Sequence, residues 1–169
     1  MDRSFTSVPR TAGGGPPPVR AREIIAVSFT AAGADTAKEW LDASREGTVR
    51  RHIQATEADS SVLRRIGDMV KHSRVGTHLL FAGPGPDIHA ARAQAIKNGA
   101  IDAEIVLRET GDRSLRVSCA HCKETTVTPR AVGDTVHCAG CSRELVVYHH
   151  FSRLTASYLG YMVNAEEIA

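Results

Sequence analysis

The chain has 169 residues and a mass of 18.2 kDa, room for one ordinary domain or two small ones. Its 42% hydrophobic and 24% charged composition is that of a globular protein, and a net charge of only +2 argues against a dedicated nucleic-acid binder. No apolar run approaches the ~20 residues that cross a bilayer, and residues 1–22 lack the apolar core of a signal peptide, so a cytoplasmic protein is expected.

In chain order, residues 1–22 come first and carry Gly13-Gly14-Gly15-Pro16-Pro17-Pro18 with little apolar periodicity. They predict a disordered leader, with a docking arm that orders on a partner as the alternative. From Glu23 to about Arg108, strand and helix signals alternate. Ile24–Phe29 is a short β-branched run suited to a parallel sheet. Residues 36–45 read as a helix with Trp40 and Leu41 inward, and residues 49–55 as an edge strand marked by Arg50, Arg51 and His52. Asp59-Ser60-Ser61 offers an N-cap for a helix over residues 62–72, residues 77–82 form a strand, and residues 87–97 form an Ala-rich helix stopped by Asn98-Gly99. A strand over residues 103–107 closes the series.

After residue 110 the helical periodicity ends, and cysteines, short strands and turns take over. The sequence therefore predicts an α/β protein in three segments. A leader spans 1–22, and a small parallel sheet flanked by helices spans 23–110. A small zinc-ribbon-like domain with an aromatic carboxy-terminal segment spans 111–169.

Cys119-Ala120-His121-Cys122 and Cys138-Ala139-Gly140-Cys141 are two CxxC pairs. Two thiolates at this spacing wrap one metal ion from a tight turn, and two such turns supply a tetrahedral set. In a reducing compartment a disulfide framework is the lesser alternative. Zinc is the default for four thiolates; iron in the same geometry would make an electron carrier. Val117, Val127, Val136, Leu145 and Val147 are the expected ribbon core. His121 and His137 stand beside the knuckles, but four cysteines already complete a shell, so exposed or sulfur-facing positions are expected for both.

Gly83-Pro84-Gly85-Pro86 lies at the carboxyl end of a strand, where α/β sheets bind ligands, making Gly83 and Gly85 weak candidates for cofactor contact. No GxGxxG or GxxxxGK[ST] occurs in the sequence. Residues 77–109 resemble the closing βαβ unit of the nicotinamide domain in ferredoxin-reductase-type flavoenzymes. Ala82 stands where those proteins place a cysteine, and Gly83 and Pro84 are kept. Phe29-Thr30-Ala31-Ala32-Gly33 replaces their glycine-rich loop. The resemblance implies a degenerate reductase-like module that has lost nucleotide binding.

Tyr148, His149, His150, Phe151, Tyr158 and Tyr161 crowd the end of the chain. So many rings near a small ribbon suggest a surface buried either on the α/β module or on a partner, and they are the candidate docking residues. No carboxylate or nucleophile is placed to orient His149 and His150, so ordinary strand-end hydrogen bonds are the expected role for both.

Cys138-Ala-Gly-Cys141, residues 145–153 (LVVYHHFSR) and residues 158–167 (YLGYMVNAEE) resemble the carboxy-terminal domain of the DmmA-type subunit of bacterial dimethylamine monooxygenase. The resemblance implies a small subunit working with a haem-bearing catalytic chain and a reductase chain carrying FMN and a [2Fe-2S] cluster. Such an assembly demethylates dimethylamine with NADPH and oxygen. It implies no catalytic residue on this chain; the cysteines alone carry over. Three functions are expected in descending order: an accessory monooxygenase subunit with structural zinc, a rubredoxin-like iron carrier in the same complex, and a nucleic-acid-binding ribbon. The last is disfavoured because Glu124, Asp134 and Glu144 balance Lys123, Arg130 and Arg143.

Overall fold

The computed structural model describes residues 15–165; the expectations for residues 1–14 and for Glu166 and Glu167 lie outside the described residues. Its contacts separate into two compact units that divide between Asp112 and Arg113.

The first unit runs β1 (Glu23–Phe29), α1 (Thr30–Asp42), β2 (Val49–Ala55), α2 (Ser60–Lys71), β3 (Thr77–Gly83), α3 (Gly85–Lys97) and β4 (Ile105–Glu109). All neighbouring strands are parallel, in the order β2-β1-β3-β4. Right-handed crossovers then place α1 on one face and α2 and α3 on the other. The alternation along β1 and β3 feeds two separate cores. Ile25, Val27, Phe29, Leu79 and Phe81 meet Ile66, Val70, Ile88 and Ala91 from α2 and α3. Ile24, Ala26, Leu80 and Ala82 meet Ala37, Trp40 and Leu41 from α1. This two-sided burial is why both strands read as unbroken apolar runs. β2 lies on the edge, as its charged residues predict, and the Asp59 carboxylate accepts from the Ser61 and Val62 amides at the start of α2.

Several boundaries differ from the sequence reading: α1 ends at Asp42 rather than residue 45, α2 spans Ser60–Lys71 rather than 62–72, and α3 starts at Gly85 rather than 87. α1 begins at Thr30, not residue 36, because the chain enters the helix directly from β1 with no intervening loop. Gly33 permits this: a Cβ there would lie 2.5 Å from the Ala82 carbonyl oxygen. β4 begins at Ile105, since Asp102–Glu104 forms a single 3-10 turn that residues 103–107 had been expected to pass through extended. The end of the expected leader joins the fold: Ala21 is buried with Ile24 and Trp40, and the Arg22 amide donates to the Gly76 carbonyl.

The second unit contains β5 (Leu115–Cys119), β6 (Thr125–Thr128), β7 (Thr135–His137), β8 (Glu144–Ser152) and β9 (Ser157–Met162) in one sheet of order β6-β5-β9-β8-β7. Two antiparallel hairpins, β5–β6 and β7–β8, flank β9, which runs parallel to β5 and antiparallel to β8. The aromatic carboxy-terminal segment is therefore the central strand. Gly160 lets it sit there, because a Cβ would approach Val117 Cγ1 to 2.7 Å and Leu145 Cδ1 to 3.0 Å. Val117, Leu145 and Val147 are buried as expected, whereas Val127 is 56% exposed: edge strand β6 turns it to solvent.

Two predictions follow from the first unit. At the end of α3 the Ala100 amide donates to the Ala95 carbonyl and the Gly99 amide to Ile96, a Schellman closure with Gly99 at φ +106°. No atom lies within 4 Å of a Cβ built there, so Gly99→Ala isolates backbone strain. It is expected to cost about 1–2 kcal/mol in urea unfolding, and an unchanged midpoint would contradict the closure. On the same helix, burial and then the Arg92 charge lower the His89 pKa from an ordinary 6.5 to about 4. The unfolded chain therefore binds a proton that the folded chain refuses, and stability is complete above 6.5 and declines as pH falls toward 4. His89→Gln should flatten unfolding free energy across that window; parallel losses in variant and parent would exclude His89 as the cause.

Candidate metal centre

Each hairpin of the second unit carries a cysteine pair in the turn that joins or follows its strands. Cys119 ends β5 and Cys138 follows β7, which fixes one sulfur of each pair on a strand end. The two turns close in the same way. The Lys123 amide donates to the Cys119 carbonyl and the Ser142 amide to the Cys138 carbonyl, while the Cys119 and Cys138 amides donate to the Glu124 and Arg143 carbonyls. Lys123 and Ser142 both take positive φ, 66° and 56°, the left-handed step that turns the chain back after the second cysteine.

The turns bring all four sulfurs together. Cys119 Sγ lies 3.8 Å from Cys141 Sγ, Cys122 Sγ lies 3.5 Å from Cys138 Sγ, and the four atoms are all within 4.8 Å of one another. A metal bonded to four sulfurs at about 2.3 Å occupies a tetrahedron with edges of about 3.8 Å, so the donor set fits such an ion with little movement. Cys119 and Cys138 are buried, Cys141 is half-buried and Cys122 is exposed.

Electrostatics around the sulfurs favour a bound cation. The Cys141 amide, then that of Gly140, stabilises the Cys138 thiolate and lowers its pKa to about 6 despite burial. At Cys122 the Glu124 amide also favours the thiolate. Desolvation and the neighbouring Cys138, Cys141 and Cys119 thiols overturn it and push the group up to about 12. Four sulfurs this close cannot all ionise alone, and a cation removes that conflict. These amide donors were not legible in the sequence, because backbone groups leave no residue signature. His121 and His137 are exposed and neither joins the sulfur cluster.

The remaining candidates fall elsewhere. Sheet order reverses between β1 and β3, and the crevice outside their carboxyl ends is where such folds take ligands. Here Gly33 and Gly83 pack closely against neighbouring backbone. A Cβ at Gly83 would lie 2.7 Å from Phe29 Cβ, Gly33 abuts Ala82, and Gly85 is buried in the first turn of α3. The Asp87 carboxylate in that turn accepts the Ala58 amide, placing negative charge where an anion would bind. Gly83 is thus held in close contact with Phe29. Ser28 Oγ and His52 Nε2 are 2.9 Å apart, a nucleophile–base distance, but Ser28 is 1% exposed and closed to a substrate.

Of the docking candidates, Phe151 and Tyr158 pack edge to face at 5.1 Å and are 7% and 6% exposed, so they belong to the unit's own core. Tyr148, His149, His150 and Tyr161 keep exposed edges. A bulge assembles them: Val147 pairs with Gly160 and Phe151 with Tyr158, leaving Tyr148, His149 and His150 opposite Leu159 alone. Tyr148 lies 4.1 Å from His149, 4.8 Å from His150 and 5.4 Å from Tyr161 between ring centres.

The two knuckles meet at Gly140, where a Cβ would lie 2.8 Å from Glu124 Cβ and 3.3 Å from Cys122 Sγ. Gly140→Ala should therefore push the knuckles apart and weaken metal affinity in chelator competition by about tenfold, the loss typical of disturbed groups around metal ligands. Unchanged affinity would mean the two turns do not approach as described.

No curated protein and no solved structure matches the chain. Residues 116–161, which hold all four cysteines and the bulge, match the family model described as "Dimethylamine monooxygenase subunit DmmA-like, C-terminal domain". The resemblance read from the carboxy-terminal residues thus holds over residues 116–161, the stretch that matches this family model.

Proposed function

We propose that this chain is an accessory subunit of a multicomponent, haem-dependent dimethylamine monooxygenase in the cytoplasm, holding a structural zinc ion at Cys119, Cys122, Cys138 and Cys141. The observation that carries the reading is the match of residues 116–161 to a domain of a monooxygenase subunit, with four clustered sulfurs inside it. Haem, FMN and a [2Fe-2S] cluster reside on partner chains, and electrons from NADPH and the chemistry of oxygen belong to them. Four protein sulfurs leave no open position for substrate, which favours a structural ion over a catalytic one.

When bound, the ion supplies a cross-link between the two hairpins. Around the sulfurs the recognisable core is small, Leu145 with half-buried Val136 and Met162, so apolar burial alone contributes little there. The role of the chain's own residues is then assembly. Tyr148, His149, His150 and Tyr161 form the face that would meet the reductase or haem subunit, since aromatic groups with exposed edges anchor interfaces. The first unit carries no nucleotide in this reading; the close packing at Gly33 and Gly83 is in keeping with it.

One observation favours a second reading. Cys122 is exposed while its three companions are more protected, and an exposed sulfur would give electrons a short path to an iron ion in the same site. Elemental analysis with a visible spectrum of the purified chain separates the two. One zinc and no colour supports the structural reading; one iron with a reducible charge-transfer band makes the subunit a link in the electron path. Neither metal in a folded protein would remove both. Cys138→Ser deletes a buried ligand and is expected to unfold the second unit and abolish complex assembly before any chemistry is tested. A variant that still assembles and loses only electron transfer would overturn structural zinc.

A further inference from the structure

The unused chemistry of the first unit is concentrated along β2. This strand ends the sheet, so among the described residues one rim of its backbone has no strand partner, and its seven residues are all exposed or half-buried. Two clefts adjoin it. One, of about 510 Å³, is lined by Arg51, Arg65, His52 and His72 together with Glu23 and Asp68. The other, of about 360 Å³, is lined by Arg22, Arg51, Arg74 and His72. They share Glu23, Arg51 and His72, which makes them one elongated depression from the α2 face to the amino-terminal end of the sheet.

The charge there is uncompensated. Arg51 bonds Glu23 at 2.8 Å, yet 62% of its side chain stays exposed, and Glu23 also accepts from the Thr77 hydroxyl at 3.1 Å. Asp68 faces Lys71 at 3.5 Å. Arg22, Arg65 and Arg74 make no ion pair among the described residues. Arginines on an edge strand discourage chance pairing. That purpose does not account for Arg22, Arg65 and Arg74, which lie outside β2 and line the clefts beside it.

We propose that this rim is the docking site for an extended, acidic segment of a partner polypeptide, which adds to β2 as a further strand and lays its carboxylates toward Arg22, Arg51, Arg65 and Arg74. Strand addition uses the free backbone rim for affinity and the flanking side chains for selection. In an added strand, side chains on one face recur about every 6.8 Å, a spacing that lets successive carboxylates reach successive guanidinium groups. Val49 and Val75, 53% and 94% exposed, offer apolar contact at the same end. A phosphate backbone fits less well: the Glu23 carboxylate stands in the wall shared by both clefts, and a nucleic acid has no use for a strand edge. The chain's own residues 1–14 carry Arg3 and Arg10 against Asp2 alone and would be repelled.

The proposal makes no use of the cysteine centre, so its test stands apart from the metal content. The probe is a fluorescein-labelled heptapeptide alternating Glu with Thr, titrated into the full chain and compared with its Gln–Thr counterpart. The Glu peptide should saturate, bind about tenfold more tightly than the Gln peptide, and weaken at high salt. It should also slow hydrogen exchange at backbone amides of residues 49–55. The double substitution Arg65→Glu with Arg74→Glu, at exposed positions, should abolish the preference. Equal binding of both peptides, no saturation at millimolar peptide, or protection confined to other strands would overturn the proposal. So would displacement by a single-stranded oligonucleotide at lower concentration than the peptide itself.

Discussion

Four sulfurs held within 4.8 Å impose the constraint on which the second unit depends. Thiolates that close repel one another, and their amide donors from Glu124, Gly140 and Cys141 only partly relieve the charge. A cation held by the four sulfurs would convert that repulsion into a bond between two hairpins that otherwise share a narrow core. The strand between them, β9, reinforces the same junction by pairing with β5 on one side and β8 on the other. Metal ligation at these sulfurs would thus act on the same two hairpins that sheet pairing already holds together, in an arrangement with few buried apolar groups.

The first unit shows the opposite balance. Its central strands β1 and β3 are covered on both faces by the three helices, which supply two apolar cores. Direct entry from β1 into α1 brings Gly33 close to Ala82 and Phe29 against Gly83 at the point where the strand order reverses. The exposed charge of the unit gathers instead at the β2 edge and the guanidinium groups around it.

Much of the fold was legible because its periodicities are local. β-branched runs, the Asp59 cap and the Asn98-Gly99 stop each depend on residues a few positions apart, and a mixed α/β protein with a parallel sheet followed from their alternation. The start of α1 was missed because a glycine and an aromatic N-cap disguise a helix end that is fixed by β3 across the sheet. Val127 was misread for a related reason: alternation gives two faces, and only the neighbouring strands decide which one is covered.

By itself the sequence determined the pairing of four cysteines into two knuckles, because ligand spacing within a turn is a local property that residue order expresses directly. It also determined the edge position of β2 through its charges. Tertiary structure alone decided that the aromatic segment is a central strand, that Phe151 and Tyr158 turn inward, and that a bulge gathers half-buried Tyr148 and His149 with exposed His150 in one cluster. Register between strands distant in sequence fixes those outcomes. It depends on how Gly160 accommodates Val117 and Leu145, a contact that no reading along the chain contains.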